Sequence, residues 1–181
     1  SDGPIKIVFA RRFVQIRGTR LFAPVAKKLL STYDNIEITF AGEGPDKEYL
    51  KSTIGNDERV SFCSYKSDES ISFHRQFDVA VVPTIYSEGT SLALLEAMSA
   101  QCAVVCTNVG GMTNIILDEY NGLMVSPDEG ELFSAISRLI TDPKLRKSLS
   151  KNAYETVNSS FSIKKWQKSW KTLIMNYFEN Y

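Results

Sequence analysis

Residues 83–105 read PTIYSEGTSLALLEAMSAQCAVV, and the organisation of the chain can be worked out from this segment. An apolar strand at residues 79–82 leads into a short loop, and a helix then begins near Ser91. The helix is apolar around almost its whole circumference, which predicts a buried position inside an α/β domain. It nevertheless carries Glu96, and Glu88 lies just before its start. Because an unpaired buried carboxylate is unfavourable, we expect a polar group to meet Glu96.

The start of this helix predicts an anion-binding site. The first backbone N–H groups of a helix are free donors that carry about half a positive charge, and phosphate is their usual ligand. Gly89 lets the backbone approach such an anion closely. Glu96 lies about 7–8 Å further along the axis, at a rise of ~1.5 Å per residue. A ligand with phosphates at the helix start could therefore present ribose hydroxyls to one carboxylate and sugar hydroxyls to the other.

Strands and helices alternate along the whole chain. Short apolar strands are expected at residues 5–10, 36–40, 60–63, 77–82, 102–107 and 123–125. Helices are expected at residues 20–30, 47–54, 67–75, 91–100, 113–118, 129–140, 143–157 and 163–177. This alternation predicts an α/β fold with a doubly wound, parallel, Rossmann-like sheet of about six strands and helices on both faces. Ligands of such sheets bind outside the carboxyl ends of the strands.

The loops after successive strands contain the candidate functional residues, so the fold should bring them to one edge of the sheet. The first loop, ARRFVQIRG at residues 10–18, lacks the G-x-G-x-x-G pattern of nicotinamide-binding domains and offers arginines instead. Two arginines could bind a diphosphate through charge-assisted hydrogen bonds, although composition alone favours solvated loop cations. The candidates are Arg12 and Arg17 after the first strand, Gly42 and Gly44 after the second, Tyr65 after the third, Glu88 after the fourth, and Gly110 and Gly111 after the fifth.

Several of these segments resemble the retaining glycosyltransferases of family 4, which have two Rossmann-like domains (the GT-B architecture). Glu88 and Glu96, with seven residues between them, resemble the E-x7-E signature of that family. Arg12 matches the arginine of its G-R-x4-K-G signature. Arg17 stands at the lysine position of that signature, and Arg11 replaces its glycine.

The resemblance extends over nearly the whole chain. AGEGP at residues 41–45 is similar to the family's G-x-G-P turn, residues 59–65 to the strand and loop that hold the nucleotide base, and residues 109–112 to a G-G turn. The chain departs from the family at residues 113–114, where Pro-Glu is customary, and at Gln101 and Ala103, where Gly and Pro are customary.

The resemblance implies one half of a GT-B enzyme. Residues 1–160 would form the Rossmann-like donor-binding domain, and residues 161–181 a C-terminal helix that packs toward an N-terminal domain outside this chain. The function implied is transfer of a hexosyl-type sugar from a nucleoside diphosphate sugar to an acceptor, a glycan or a lipid-linked glycan. The isolated half would have little or no activity. No D-x-D metal motif occurs in the sequence, so no metal and no other cofactor is expected.

The resemblance also implies a role for each candidate residue. Arg12, Arg17 and Glu88 would be catalytic, the arginines on the diphosphate and Glu88 orienting the transferred sugar. Glu96 would hold the ribose, and Tyr65 would pack on the base. The remaining substrate-binding positions would be Gly42, Gly44, Gly89, Thr90, Ser91 and Leu92.

Other interpretations remain open from the residues. Glu88 could merely favour the helix dipole, and Glu96 could cap a buried polar group. A sugar-nucleotide epimerase or a glucan phosphorylase would use a related scaffold. A non-catalytic nucleotide-binding or interaction module that works with a separate subunit is the alternative from a different functional class. The aromatic stripe at residues 166–178 is typical of a packing face, with a cofactor site or a membrane anchor as alternatives.

Composition excludes several classes of protein. The 181 residues carry no net charge, so no broad electrostatic surface for nucleic acid is expected. No apolar run approaches the ~20 residues of a membrane span. Three cysteines in strand-like positions are typical of reduced core thiols. Together with the absence of a signal sequence, these features predict a cytoplasmic protein, whose full-length form could associate peripherally with the inner membrane face.

Overall fold

The computed structural model describes residues 3–179 of the chain, with one six-stranded parallel sheet in the order β3-β2-β1-β4-β5-β6. The strands are β1 (Ile5–Ala10), β2 (Ile36–Ala41), β3 (Val60–Cys63), β4 (Val79–Val82), β5 (Ala103–Thr107) and β6 (Leu123–Val125). The predicted α/β class, the parallel pairing and the number of strands are confirmed. The strand order reverses between β1 and β4, which creates a crevice at their carboxyl ends.

Seven α-helices occur within the described residues: α1 (Thr19–Thr32), α2 (Lys47–Ile54), α3 (Ser70–His74), α4 (Leu92–Ser99), α5 (Glu129–Thr141), α6 (Pro143–Ser160) and α7 (Ile163–Glu179). Short 3₁₀ turns lie at Gln15–Arg17, Ser67–Glu69 and Gly110–Asn114. The sequence predicted one helix over residues 67–75, which the structure divides into a 3₁₀ turn and α3.

The sheet is covered by helices on both faces, because its strands are apolar on both sides. One core contains residues of α1, α2 and α5, and at its centre Phe9, Phe22 and Phe40 lie with ring centroids 5.6–5.9 Å apart. The other core contains residues of α4, α6 and the 3₁₀ turn Gly110–Asn114. A sheet buried on both faces positions the loops at its carboxyl edge on a rigid base.

Two predictions about local structure are wrong. The helix expected at residues 113–118 is replaced by the 3₁₀ turn Gly110–Asn114 and a following turn that Asn121 stabilises. The Asn121 side chain accepts a hydrogen bond from the backbone N–H of Leu117 and donates one to the carbonyl of Ile115, so it competes with helical hydrogen bonding. The helix α4 is not buried on all sides, since Leu92 in its first turn is 69% exposed.

Helix α7 is exposed along the length for which side chains are described, residues 163–178. Its lysines lie among large apolar side chains, which include Trp166, Trp170, Leu173, Ile174 and Phe178. Between residues 3 and 179, no helix is long and apolar enough to cross a membrane.

Candidate functional site

The first two loops at the carboxyl edge of the sheet are packed against each other through glycines. A Cβ atom at Gly42 would lie 2.0 Å from the carbonyl oxygen of Arg11, and one at Gly44 would lie 2.3 Å from that of Phe13. The backbone N–H of Phe13 donates to the carbonyl of Glu43 at 2.8 Å. The two glycines therefore serve close backbone packing, and a direct role in ligand binding stays a prediction.

The loops after β4 and β5 are joined in the same way. The backbone N–H of Gly111 donates to the carbonyl of Glu88 at 2.9 Å, and a Cβ atom at Gly111 would lie 2.3 Å from the carbonyl oxygen of Gly89. A Cβ atom at Gly110 would lie 2.2 Å from the Glu88 carbonyl oxygen. The G-G turn thus fixes the backbone of the segment that carries Glu88.

A cavity of about 400 Å³ opens between the loops after β1, β2 and β3 and helix α4. Four of the predicted site residues line it, namely Arg12, Gly42, Tyr65 and Glu96. It is also lined by residues that the sequence did not single out: Arg11, Ala41, Glu43, Ser64, Ser67 and Ser70. The other predicted positions lie outside the lining: Arg17, Gly44, Glu88, Gly89, Thr90, Ser91, Leu92, Gly110 and Gly111.

Tyr65 forms a flat wall of the cavity. Its ring stacks on Phe73 at a centroid distance of 4.3 Å and an interplanar angle of 11°, and it meets the buried His74 ring edge-on at 5.8 Å. His74 itself hydrogen-bonds the carbonyl of Ser70 through Nδ1, so it is a structural residue. Burial and the negative charge of Glu96 raise the pKa of Tyr65, which keeps its hydroxyl protonated.

Glu96 lies half-buried in α4 and faces the cavity. We expected a polar group to meet its carboxylate, and hydroxyls of a ligand were the candidates. Among residues 3–179, no hydrogen bond or ion pair reaches that carboxylate, and its charge acts only at a distance on Tyr65 and His74. Both carboxylate oxygens are therefore available to a ligand in the cavity.

Glu88 has the opposite environment, because its side chain is only 8% exposed and is held by two arginines. Its Oε2 atom accepts hydrogen bonds from Arg11 Nη2 at 2.5 Å, Arg17 Nη1 at 2.6 Å and Thr84 Oγ1 at 2.9 Å. Burial alone would raise the pKa of Glu88, but the hydrogen bonds and charges of these neighbours, led by Arg11, lower it. Glu88 is therefore ionised at neutral pH.

The sequence did not predict this arrangement. Arg17 was expected to be free for a diphosphate, whereas the structure shows its guanidinium on Glu88. Arg11 and Thr84 were not predicted as site residues at all. Arg11 was recognised only as a replacement for a family glycine, and a second arginine directly after a buried strand is the signal that could have identified it.

The start of α4 provides unused backbone donors. The Ser91 side chain caps the helix by accepting a hydrogen bond from the backbone N–H of Leu94 at 3.4 Å. In the described part of the chain, no acceptor meets the backbone N–H groups of Thr90, Ser91 and Leu92. A Cβ atom built at Gly89 has no atom within 4 Å, so the approach to these donors is open there. The geometry is compatible with an anion at this helix terminus.

The side chains that commonly bind metals are dispersed over the described residues. Within residues 3–179, no cluster of three or more His, Cys, Asp or Glu side chains could hold a metal ion. Independence from metals stays a prediction.

Comparison with known proteins identifies the family. Residues 1–156 match the family described as "Glycosyl transferases group 1". The chain belongs to the group 1 glycosyltransferases. Among solved structures, it is similar to the C-terminal domain of the group 1 glycosyltransferase LpcC from Francisella tularensis, with 30% identity and a TM-score of 0.79 over 89% of this chain and 88% of that domain. This group 1 chain therefore corresponds to a C-terminal domain with the Rossmann-like fold of GT-B enzymes.

Two curated relatives of this group 1 chain are similar over most of its length. An uncharacterized glycosyltransferase of Methanocaldococcus jannaschii is 28% identical and is matched over 90% of this chain and 42% of its own length. The alpha-D-kanosaminyltransferase of Streptomyces kanamyceticus is 28% identical, with 90% and 43% matched. The group 1 chain thus spans less than half the length of these relatives.

Proposed function

We propose that this chain is the donor-binding half of a retaining glycosyltransferase, which transfers a hexosyl-type sugar from a nucleoside diphosphate sugar to a glycan or lipid-linked acceptor. The observation that carries this proposal is the cavity of about 400 Å³ in which Arg12, Tyr65 and Glu96 of α4 meet. Its volume lies in the range of ~300–1,000 Å³ that is usual for small-molecule sites. Its position outside the carboxyl ends of parallel strands supports the same function.

The diphosphate of the donor would bind between the first loop and α4. Arg12 and Arg17 would contact it, together with the free N–H groups of Thr90, Ser91 and Leu92. These donors would stabilise the negative charge that develops on the leaving nucleotide during transfer, which is the largest contribution that such a site can make to catalysis. The protein groups would thereby take the role that a metal ion has in other transferases, and no metal or cofactor would be required.

The nucleoside would occupy the cavity itself. Glu96 would accept hydrogen bonds from the ribose hydroxyls, because its carboxylate has no hydrogen-bonding partner among the described side chains. Tyr65 would pack on the base with the face that is not covered by Phe73. The turn at Gly42 and Gly44 would close this end of the site.

Glu88 would orient the transferred sugar. Within residues 3–179, all three hydrogen bonds of its carboxylate involve Oε2, so Oε1 remains for a sugar hydroxyl. An ionised carboxylate here would also favour positive charge at the anomeric carbon in the transition state. We infer retention of anomeric configuration from the resemblance of the Glu88–Glu96 pair to the E-x7-E signature of retaining glycosyltransferases.

The exposed apolar face of α7 supports a division of the chain into a donor-binding domain at residues 1–160 and a C-terminal helix at residues 161–181 that packs toward another domain. The same face is the observation that favours the second candidate function, a nucleotide-binding module that works with a separate subunit. An assay of sugar transfer by the full-length protein distinguishes the two functions, because only the enzyme forms a glycosylated product.

Calorimetric titration of this chain with UDP, GDP and ADP tests the proposal. UDP is titrated first, because structures of Anabaena HepE, which has the same fold at 17% identity, contain UDP or UDP-glucose. We expect one of the three nucleotides to bind, and Arg12→Gln to weaken its binding by ~1.5–3 kcal/mol, about 10- to 150-fold. Glu96→Gln should also weaken it.

Two substitutions outside the cavity are matched controls for charge, Arg75→Gln and Glu37→Gln, since both side chains are exposed. They should leave the affinity unchanged. If none of the three nucleotides binds at millimolar concentration, the proposed donor site is wrong.

A further inference from the structure

Arg11 is more deeply buried than either of the arginines that were predicted from the sequence. Its side chain is 6% exposed, and its two terminal nitrogens reach two neighbours in the loop after β4. Nη1 donates to Thr84 Oγ1 at 2.6 Å, and Nη2 donates to Glu88 Oε2 at 2.5 Å. Thr84 Oγ1 in turn donates to the same Glu88 oxygen. These three contacts form a closed ring that fixes the orientation of the Glu88 carboxylate.

The backbone of Arg11 is fixed as well. Its N–H donates to the carbonyl of Ala41 at 3.0 Å, and the lack of a side chain at Gly42 allows the second loop to lie directly on the Arg11 carbonyl oxygen. Thr84 is fully buried, and its own carbonyl accepts a hydrogen bond from Thr107. The ring around Glu88 is therefore built on β1, β2, β4 and β5.

Arg17 contacts Glu88 in a different way. It uses one nitrogen only, and its side chain is 30% exposed. Glu88 thus has two cationic partners for one negative charge. Because Arg11 alone can compensate that charge, Arg17 can leave Glu88 without leaving a buried carboxylate unpaired.

Glu88 also keeps one oxygen free. Within residues 3–179, Oε1 accepts no hydrogen bond, and it is not among the buried polar atoms without a partner, so it reaches the solvent. The anchored oxygen and the free oxygen of one carboxylate therefore have separate functions.

We propose that Arg11 is a positioning residue, which holds Glu88 in its orientation with Oε1 accessible and thereby releases Arg17 from Glu88 to the diphosphate of the donor. This inference rests on the proposed function. Arg11 would act through Glu88, and its two terminal nitrogens would contact neither the transferred sugar nor the phosphates, because Thr84 and Glu88 hold them. Without Arg11, Arg17 should stay paired with Glu88 as its remaining counter-ion. Arg17 and Glu88 would then both lose their function toward the donor.

The first test is a titration of the Glu88 carboxyl by NMR in selectively labelled protein. Among residues 3–179, the charged groups paired with Glu88 are Arg11 and Arg17, so their individual effects can be separated. Arg11→Gln should raise the pKa of Glu88, and Arg17→Gln should raise it less, because Arg11 is the stronger of the two partners that lower it. Arg20→Gln is a matched control, because Arg20 pairs with another buried carboxylate, Asp46, and should leave the pKa of Glu88 unchanged.

The second test measures the affinity for the nucleoside diphosphate that binds to the wild-type chain. Arg17→Gln should weaken binding about tenfold or more, because it removes a phosphate contact. Arg11→Gln should also weaken it, although Arg11 does not touch the phosphates. In the double variant, the two losses should be clearly less than multiplicative, since both act through Arg17.

The outcomes separate the inference from the proposed function. If no nucleotide binds to the wild-type chain, the proposed function and the release of Arg17 both fail, while the titration still decides whether Arg11 holds Glu88. If a nucleotide binds but Arg11→Gln leaves its affinity unchanged, or if the two losses multiply, the release of Arg17 is wrong. If the two arginines affect the pKa of Glu88 equally, Arg11 has no special role.

A further variant, Arg11→Lys, tests the inference if Arg11→Gln does not fold. Arg11→Lys keeps the charge but cannot donate to Thr84 and Glu88 from a planar fork. It should preserve the low pKa of Glu88 and, because the charge that releases Arg17 is kept, should weaken nucleotide binding less than Arg11→Gln or Arg17→Gln does. An affinity in Arg11→Lys as low as that of either variant would show that charge compensation does not release Arg17 and would overturn the inference.

Discussion

The contact between Gly89 and Gly111 leads to a prediction in which two similar substitutions have opposite effects. Gly111→Ala places a methyl group 2.3 Å from the carbonyl oxygen of Gly89, 2.7 Å from its carbon and 3.2 Å from the backbone nitrogen of Thr90. All three atoms belong to the backbone and cannot rotate away. Gly89→Ala places the same methyl group where no atom lies within 4 Å. The structure therefore predicts damage to the fold from the first substitution only.

The magnitudes follow from the cost of overpacking. Gly111→Ala should lower the free energy of unfolding by ~1–3 kcal/mol, which corresponds to a fall in Tm of about 2–12 °C for a domain of this size. Gly89→Ala should leave stability unchanged or raise it by up to ~1 kcal/mol, because alanine restricts the unfolded chain. If a phosphate approaches the start of α4 at Gly89, the same methyl group should weaken nucleotide binding by ~1–3 kcal/mol, roughly 5- to 150-fold.

Denaturant unfolding and calorimetric titration of both variants give the two measurements. The expected pattern is loss of stability in Gly111→Ala and loss of affinity without loss of stability in Gly89→Ala. Equal destabilisation by the two substitutions would refute the packing argument. An unchanged affinity in Gly89→Ala would refute the anion site at α4, whatever the effect on stability.

Three other predictions concern the thiols, the core and metals. Burial raises the pKa of Cys102 and Cys106 to about 12, so a thiol reagent at about pH 8 should modify only the exposed Cys63 in the native chain; reaction of a second thiol before unfolding would contradict this. Phe40→Ala should cost ~3–5 kcal/mol in denaturant unfolding, because the fully buried ring packs among three other phenylalanines; a loss below about 1 kcal/mol would contradict the described core. Excess EDTA should change nucleotide affinity by less than about twofold, or ~0.4 kcal/mol, and a larger loss would mean that a metal takes part.

The fold class could be predicted from the sequence because it depends on the pattern of apolar residues along the chain. The buried strand β4, with all four residues apolar, and the regular alternation with helices were sufficient for the sheet class and the approximate strand bounds. The edge at which ligands bind follows from the parallel topology alone. The turn after the Gly110–Asn114 segment was missed because the Asn121 side chain, four to six residues away from the groups it binds, replaces helical hydrogen bonds.

The electrostatic arrangement of the site could not be predicted, because it depends on which loop backbones touch. The sequence predicted that Arg17 and Glu88 lie at the same edge of the sheet, with Arg17 on the diphosphate and Glu88 on the transferred sugar. In the structure, the two side chains form an ion pair with each other. That pairing requires the first and fourth loops to approach within a side-chain length. Gly18 makes the approach possible, since a Cβ atom there would lie 1.8 Å from the carbonyl oxygen of Pro83.

The pairing changes how the arginines of the first loop should be understood. Three arginines near a diphosphate site would suggest that each contributes a phosphate contact, and Arg12 remains exposed as that function requires. Both terminal nitrogens of Arg11 are hydrogen-bonded to Glu88 and Thr84. Arg11 could therefore contact a phosphate only by breaking the ring of hydrogen bonds that holds Glu88. Only Arg17 has access to both the carboxylate and the solvent. The three arginines of the loop therefore differ in role: Arg11 is a fixed counter-ion of Glu88, Arg12 is an exposed hydrogen-bond donor, and Arg17 can exchange between Glu88 and the diphosphate. Removal of Arg17 should consequently affect binding of both the sugar and the phosphates of the donor.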